Sequence, residues 1–102
     1  MAWWDSENPL EAEIRQEKAE AYFAACRKMT AALEAFHDFD RLNAGSELDA
    51  HQQVRRAELV REAAKRVHYV VIQREALNLS CPPEFFEAYS IPEEIRAGMG
   101  SP

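Results

Sequence analysis

The feature that most restricts how this chain can fold is the absence of helix-breaking residues from two long stretches. No glycine or proline occurs from Leu10 to Ala44 or from Ser46 to Cys81, and Gly45 alone separates the stretches. Glycine and proline are the residues least compatible with a helix interior. The pattern therefore predicts an all-α chain built on two long helices with a short turn between them.

The first stretch carries one apolar stripe. Asn8 is a favourable N-cap and Pro9 a favourable first helical residue, and Gly45 can adopt the left-handed conformation that ends many helices. We therefore place the first helix at about residues 9–43, roughly 50 Å long. The apolar residues recur every three or four positions, as one buried helix face requires; they include Leu10, Ile14, Tyr22, Cys26, Met29, Leu33, Phe36 and Phe39.

The second stretch predicts a helix at about residues 47–79, capped by Ser46. Between Val67 and Ile72 the apolar residues surround the helix, so this part must be covered on more than one side. Its stripe comprises Val54, Ala57, Val60, Ala63, Val67, Val70, Arg74 and Leu77.

Two long helices joined by about three residues must fold back on each other as an antiparallel hairpin. In the resulting register Tyr22 faces His68 and Phe36 faces Val54. Arg74 lies on the apolar stripe, and a buried guanidinium without a carboxylate is costly. We therefore expect Arg74 to pair with an acidic residue of the first helix; the candidates are Glu17 and Glu13.

The last part of the chain predicts one or two short helices. Pro82 and Pro83 interrupt the helical pattern after the second helix, and a short helix is predicted at about residues 83–89. A further helical turn or two begins at Pro92. The domain prediction is a single unit over 1–102, with a lead segment at 1–8, a hairpin at 9–79 and short helices within 80–102. The aromatic side chains expected to cluster at the open end of the hairpin are Trp3, Trp4, Phe85, Phe86 and Tyr89.

A lone helical hairpin leaves apolar surface open to water and buries too little to offset the entropy of ordering the chain. Two hairpins packed face to face, in the manner of a coiled coil, form a four-helix bundle. We therefore predict a homodimer, with coverage by the short C-terminal helices as the alternative. The predicted interface residues are Val67, Val70, Val71, Trp3, Trp4, Phe85 and Phe86.

Charge and cysteine content narrow the class of partner. The chain has 102 residues and a formal net charge of -6, and nucleic acids and anionic membranes attract positively charged proteins. No apolar run approaches the roughly 20 residues of a membrane span, and the start of the chain lacks the regions of a secretory signal. Cys26 and Cys81 are expected to lie far apart as small apolar residues. These observations predict a cytoplasmic protein with neither nucleic-acid nor membrane partners.

Several short segments resemble a small bacterial family of helical proteins of similar length with no assigned function. The resemblance covers most of the chain and implies a helical protein of bacterial origin, without an activity to transfer. The segments that carry it are Leu10-Glu11, Glu13-Ile14, Glu17-Lys18-Ala19, the run from Val70 to Ala76, Tyr89, the run from Ile91 to Ile95, and Met99-Gly100.

The sequence predicts a self-associating structural or protein-interaction module, with no catalytic residue and no cofactor. One alternative is a small helical enzyme or a binder of anionic metabolites; its binding residues would be Arg74, Gln73, Glu17 and Glu13. A second alternative is a metal-binding bundle, because Glu34 and His37 form the Glu-x-x-His element of di-iron bundles and His51 comes close across the hairpin.

Overall fold

The computed structural model describes residues 8–100, and these contain four α-helices and no β-strand. Helix α1 spans Pro9–Leu42, α2 spans Ala50–Ala76, α3 spans Pro83–Ala88 and α4 spans Glu93–Met99. α1 and α2 pack against each other as an antiparallel hairpin, and the two short helices follow. The all-α hairpin with short C-terminal helices is thereby confirmed.

The ends of α1 agree with the sequence prediction to within one residue. The Asn8 side chain accepts a hydrogen bond from the Leu10 N–H at 2.9 Å, and Pro9 is the first helical residue. At the other end Asn43 is the C-cap, and Gly45 adopts a φ of 77°. A left-handed φ of this kind favours glycine, which explains why the single break between the two stretches falls at this residue.

α2 begins later than predicted because Asp49, not Ser46, is its N-cap. The Asp49 carboxylate accepts from the Gln52 N–H at 2.8 Å, and the Gln52 side chain accepts from the Asp49 N–H at 3.0 Å. This reciprocal capping box satisfies two backbone donors at once. Ser46 instead belongs to the turn, where its N–H donates to the Asn43 carbonyl.

The later start of α2 lengthens the connection between the long helices and changes the hairpin register. Arg74, rather than His68, lies opposite Tyr22. Val54 is largely exposed instead of facing Phe36. At its other end α2 stops at Ala76, followed by Asn78 with a left-handed φ of 59°.

The core lies along the seam between the two long helices. The predicted stripes are largely confirmed, except that Leu10, Ile14, Val54 and Ala57 are exposed. Near the start of α2, the apolar side chain that is buried in the core is Leu59 and not Val54. The buried residues of the long helices are Met29, Leu33, Phe36, Leu59, Ala63, Ala64, Val67 and Val70.

The C-terminal helices fold back and complete this core. In α4, Glu94 bonds to Arg56 near the start of α2, and Gly98 lies against the methyl group of Ala64. α4 therefore runs along α2 in the same direction. The buried residues of this C-terminal cover are Phe85, Phe86, Ile91 and Ile95.

The C-terminal cover changes the interpretation of the predicted dimer interface. Val67 and Val70 are fully buried within one chain, and Phe85 and Phe86 are nearly so. Val71 is half-buried. Assigning Val67, Val70, Phe85 and Phe86 to a dimer interface was wrong, because α3 and α4 fold back and contribute apolar residues to the same core. The assignment of Val71 stays a prediction. Trp3 and Trp4, the remaining predicted interface residues, lie outside the described residues.

The predicted aromatic cluster is formed in part. The Phe85 ring centroid lies 5.2 Å from that of Phe86 and 5.1 Å from that of Tyr89. Phe85 and Phe86 pack into the core, whereas Tyr89 is 36% exposed. The three rings therefore belong to the cover that packs on the hairpin, with Phe85 stacked on the Arg74 side chain of α2.

Candidate functional site

Arg56 joins three helices through two carboxylates. Its guanidinium donates to both oxygens of Asp40 in α1 at 2.8 and 2.9 Å, and to both oxygens of Glu94 in α4 at 3.0 and 2.6 Å. It also lies 5.1 Å from the Phe36 ring centroid. The hydrogen bonds from Arg56 hold the pKa values of Asp40 and Glu94 below their ordinary range, although partial burial opposes this.

Arg74 ties α1 to the connection between α2 and α3. Its Nε and Nη2 donate to the Ser80 carbonyl oxygen at 2.8 and 2.6 Å, and its Nη1 donates to the Tyr22 hydroxyl at 2.9 Å. The guanidinium also lies 5.0 Å from the Phe85 ring centroid. The expected ion pair with Glu17 or Glu13 is therefore wrong. Neutral acceptors and an aromatic face satisfy this cation, and both glutamates are exposed.

The structure does not bring the predicted anion-binding residues into one pocket. Gln73 lines a groove between α1 and α2 to which Arg74 makes no contribution. The Arg74 nitrogens are instead engaged with Tyr22 and Ser80, as described above. An anionic ligand would have to displace those hydrogen bonds, so this arrangement does not favour a metabolite site built on Arg74.

The predicted metal site is not assembled either. His37 donates an Nε2 hydrogen bond to the Ser90 carbonyl oxygen at 2.8 Å, which ties α1 to the turn between α3 and α4. Among residues 8–100, no group of three or more His, Cys, Asp or Glu side chains is placed to hold a metal ion. Glu34, His37 and His51 therefore do not form the expected ligand set.

The Tyr22–Arg74 hydrogen-bonded pair has one cysteine near each of its members. Burial raises the pKa of the Tyr22 hydroxyl, the bond from Arg74 opposes this rise, and the neighbouring Cys26 thiol adds to it. Burial lowers the pKa of Arg74, but its interactions with Tyr22 and the neighbouring Cys81 thiol outweigh that effect. Both thiols are free and half-buried.

An open groove runs between α1 and α2, and no residue of α3 or α4 lines it. It has a volume of about 380 Å³ and is lined largely by small side chains on α1 and by longer polar ones on α2. We call it the alanine groove; its residues are Ala21, Ala24, Ala25, Lys28, Lys65, Arg66, Tyr69 and Gln73.

The α1 side of the alanine groove is part of a second stripe on α1, distinct from the buried stripe. Its positions alternate in steps of four and three, which is the spacing of a and d positions in a coiled coil. Ala24 is half-buried, and the other members are exposed. The stripe comprises Leu10, Ile14, Glu17, Ala21, Ala24, Lys28, Ala31 and Ala35.

The sequence analysis did not recognise this second stripe, because its central residues are alanines and two of its members, Glu17 and Lys28, are charged. Leu10 and Ile14 were assigned to the buried stripe, yet they are 61% and 43% exposed. The signal that would have revealed the stripe is the strict alternation of its spacing along the whole of α1. Exposed apolar side chains on α2 adjoin this region; Tyr69 is 51% and Ile72 45% exposed.

Within the described part of the chain, no helix has both the length and the apolar character that crossing a bilayer demands. No protein-family model, no curated protein and no solved structure matches the chain.

Proposed function

We propose that this protein is a non-catalytic helical module that associates with a second copy of itself through the alanine groove. The observation that carries the proposal is the second stripe on α1, which is exposed, has coiled-coil spacing and lies away from the C-terminal cover. A helix normally buries its apolar faces. The predicted four-helix bundle is retained in this proposal, with its interface moved from Val67 and Val70 to α1.

The composition of the stripe favours close antiparallel packing of two copies of α1. Alanine allows helix backbones to approach closely, since it adds little volume at the contact. When two copies of α1 cross about a two-fold axis between Tyr22 and Phe23, Ala21 of one copy meets Ala24 of the other. In the same register Ile14 meets Ala31 and Leu10 meets Ala35, so the larger side chains lie over smaller ones.

The charges of the stripe support the same register. Glu17 and Lys28 lie on either side of the alanine pair, and the two-fold axis places Glu17 of each copy opposite Lys28 of the other. A symmetric dimer therefore contains two complementary pairs and no like-charge pair at these positions. Self-complementarity of this kind is expected for a surface whose partner is an identical chain.

The experiment that tests the proposal is charge reversal across the two-fold axis. Glu17→Lys or Lys28→Glu alone converts both complementary pairs into like-charge pairs, whereas the double variant restores two complementary pairs with their signs exchanged. Exposed pairs contribute about 0.2–1 kcal/mol each. Loss of both pairs therefore costs about 0.4–2 kcal/mol, so we expect each single variant to weaken dimerisation by roughly 2–30-fold and the double variant to recover it.

The measurement is sedimentation equilibrium of the full chain over a range of micromolar concentrations. Arg61→Glu is the matched control, because Arg61 is exposed on α2 and lines a groove beside α4 instead of the alanine groove. A monomeric parent protein, or single variants no weaker than the control, would contradict the proposal. The bacterial origin and the cytoplasmic location inferred from the sequence remain predictions.

A further inference from the structure

The open end of the hairpin, where α1 begins and α2 ends, has a groove that the C-terminal cover does not reach. This end groove has a volume of about 450 Å³, and no residue of α3 or α4 lines it. Its apolar lining is Ile14 of α1 with Ala76 and Leu77 at the end of α2. Ile14 is 43% exposed, so an apolar group placed here would remove surface from water. The polar lining comprises Glu11, Arg15, Lys18 and Asn78.

The segment that precedes α1 joins the described part of the chain at this same end. It consists of residues 1–7 and contains both tryptophans of the chain, Trp3 and Trp4. Asn8 has an extended backbone, with φ −61° and ψ 127°, so the chain leaves the helix axis there. Glu7, directly before the cap, is charged and cannot supply the apolar contact that often fixes a helix start. The tryptophans are therefore the first large apolar residues before the cap.

The reach of the segment selects the end groove over the alanine groove. Trp4 precedes Asn8 by four residues, which span at most about 14 Å of extended chain. Ile14 lies six residues after Asn8, or about 9 Å along the axis of α1. The alanine groove begins at Ala21, about 20 Å along the same axis. Trp4 can therefore reach the end groove but falls short of the alanine groove.

The charges of the segment and the groove are complementary. Asp5 and Glu7 give the segment two acidic side chains, and its sequence contains no lysine or arginine. Arg15 and Lys18 line the groove and outnumber Glu11 there. Complementary charges of this kind favour one orientation of a docked segment over others.

We propose that residues 1–7 fold back along the first turns of α1 and place an indole ring of Trp3 or Trp4 on Ile14 and Leu77. Neighbouring side chains of an extended chain point to opposite sides, so one of the two indoles enters the groove. An aromatic side chain buries about 150–250 Å², more than any other residue of the segment offers. The contact closes the open end of the hairpin from within one chain and does not depend on dimerisation through the alanine groove.

Intrinsic tryptophan fluorescence of the full chain tests the proposal, because Trp3 and Trp4 are its only tryptophans. A peptide of residues 1–8 provides the emission of exposed indoles. We expect the full chain to emit at shorter wavelength than the peptide, and to be quenched less by acrylamide, at every protein concentration. Ala76→Glu places a charged side chain in the groove beside the acidic segment, so it should shift both properties to those of the peptide.

Leu79→Glu is the matched control, because Leu79 is an exposed apolar residue near the end of α2 that does not line the groove. Its fluorescence should equal that of the parent protein. Ala76 is exposed and lies outside the second stripe, so circular dichroism and sedimentation of Ala76→Glu should match the parent.

Three results would overturn the proposal. The first is parent emission equal to that of the peptide, and the second is an equal response of Ala76→Glu and Leu79→Glu. The third is a wavelength shift that appears only as the protein concentration rises, since it would place the tryptophans against a partner copy. Loss of dimerisation alone would leave the proposal intact, so the two proposals fail separately.

Discussion

Replacing Arg56 tests how much of the fold depends on one polar connection. The Arg56 side chain joins α1, α2 and α4 at the same place, through Asp40 and Glu94. Arg56→Met retains most of the aliphatic stem over Phe36 but removes both bidentate pairs. It also leaves two neighbouring carboxylates without their shared cation, and each disfavours ionisation of the other.

The expected loss of unfolding free energy follows from how far the three charged side chains are exposed. The side chains of Arg56, Asp40 and Glu94 are 28%, 41% and 48% exposed, so solvent screens both pairs. Partly exposed pairs with bidentate geometry contribute about 1 kcal/mol each, and the cation over an aromatic ring adds about 0.5–1 kcal/mol. Arg56→Met should therefore destabilise the fold by about 2–3 kcal/mol, or roughly 10–20 °C in thermal midpoint.

Chemical denaturation monitored by circular dichroism measures this loss, with Arg55→Met as the matched control. Arg55 has a single contact with Glu58 at 3.5 Å and is mostly exposed, so its replacement should change the unfolding free energy by less than about 0.5 kcal/mol. If Arg56→Met cost no more than Arg55→Met, the interpretation of Arg56 as a connection between three helices would be refuted.

The same network predicts a pH dependence. Hydrogen bonds from Arg56 lower the pKa values of Asp40 and Glu94 in the folded state. Their contribution to stability is therefore fully present above the unfolded values near pH 4, and it is lost as the pH falls through the folded values. Arg56→Met should reduce the decline of unfolding free energy between about pH 5 and pH 2. If Arg56→Met left the decline of unfolding free energy at low pH unchanged, the hydrogen bonds from Arg56 would not be what lowers the pKa values of Asp40 and Glu94.

Substitutions at three further residues test the cap, the core and the turn. Asp49→Ala should lower the unfolding free energy by about 1 kcal/mol, because it removes the capping box of α2. Ile95→Ala should lower the unfolding free energy by about 3 kcal/mol, because Ile95 is a fully buried residue of the C-terminal cover. A small loss of unfolding free energy in denaturation assays would mean that α4 is dispensable. Ser90→Gly should stabilise by about 0.5–1 kcal/mol, since Ser90 has a left-handed φ of 54°, and Ser90→Val should do the opposite.

The extent of α1 and the antiparallel pairing of the long helices were predictable because they depend on local rules. Breaker-free stretches, the cap at Asn8 and the left-handed Gly45 are all visible in the sequence. The start of α2 was not predicted, because Ser46 and Asp49 are both acceptable N-caps and only the Asp49–Gln52 pair completes a reciprocal box. The resulting shift in register is why the partner of Arg74 was also predicted wrongly.

The covering of α2 could not be predicted from periodicity alone. The apolar residues around Val67 and Val70 indicate that a covering layer exists, but a second chain and a folded-back segment satisfy that requirement equally well. The structure places Phe85, Phe86 and Ile95 in the layer. The candidate sites were less predictable still, because the contacts of Arg74 with Tyr22 and Ser80 depend on the hairpin register and on the path of the chain after α2.

The position of α4 after both long helices bears on what a shortened chain would do. A product that ends before Ile95 keeps α1 and α2 but lacks the side chain that is fully buried between α4 and the hairpin. Such a product exposes apolar surface of the kind that makes partly folded chains aggregate. Proteolytic cleavage between α3 and α4 should therefore yield an insoluble fragment rather than a smaller folded domain.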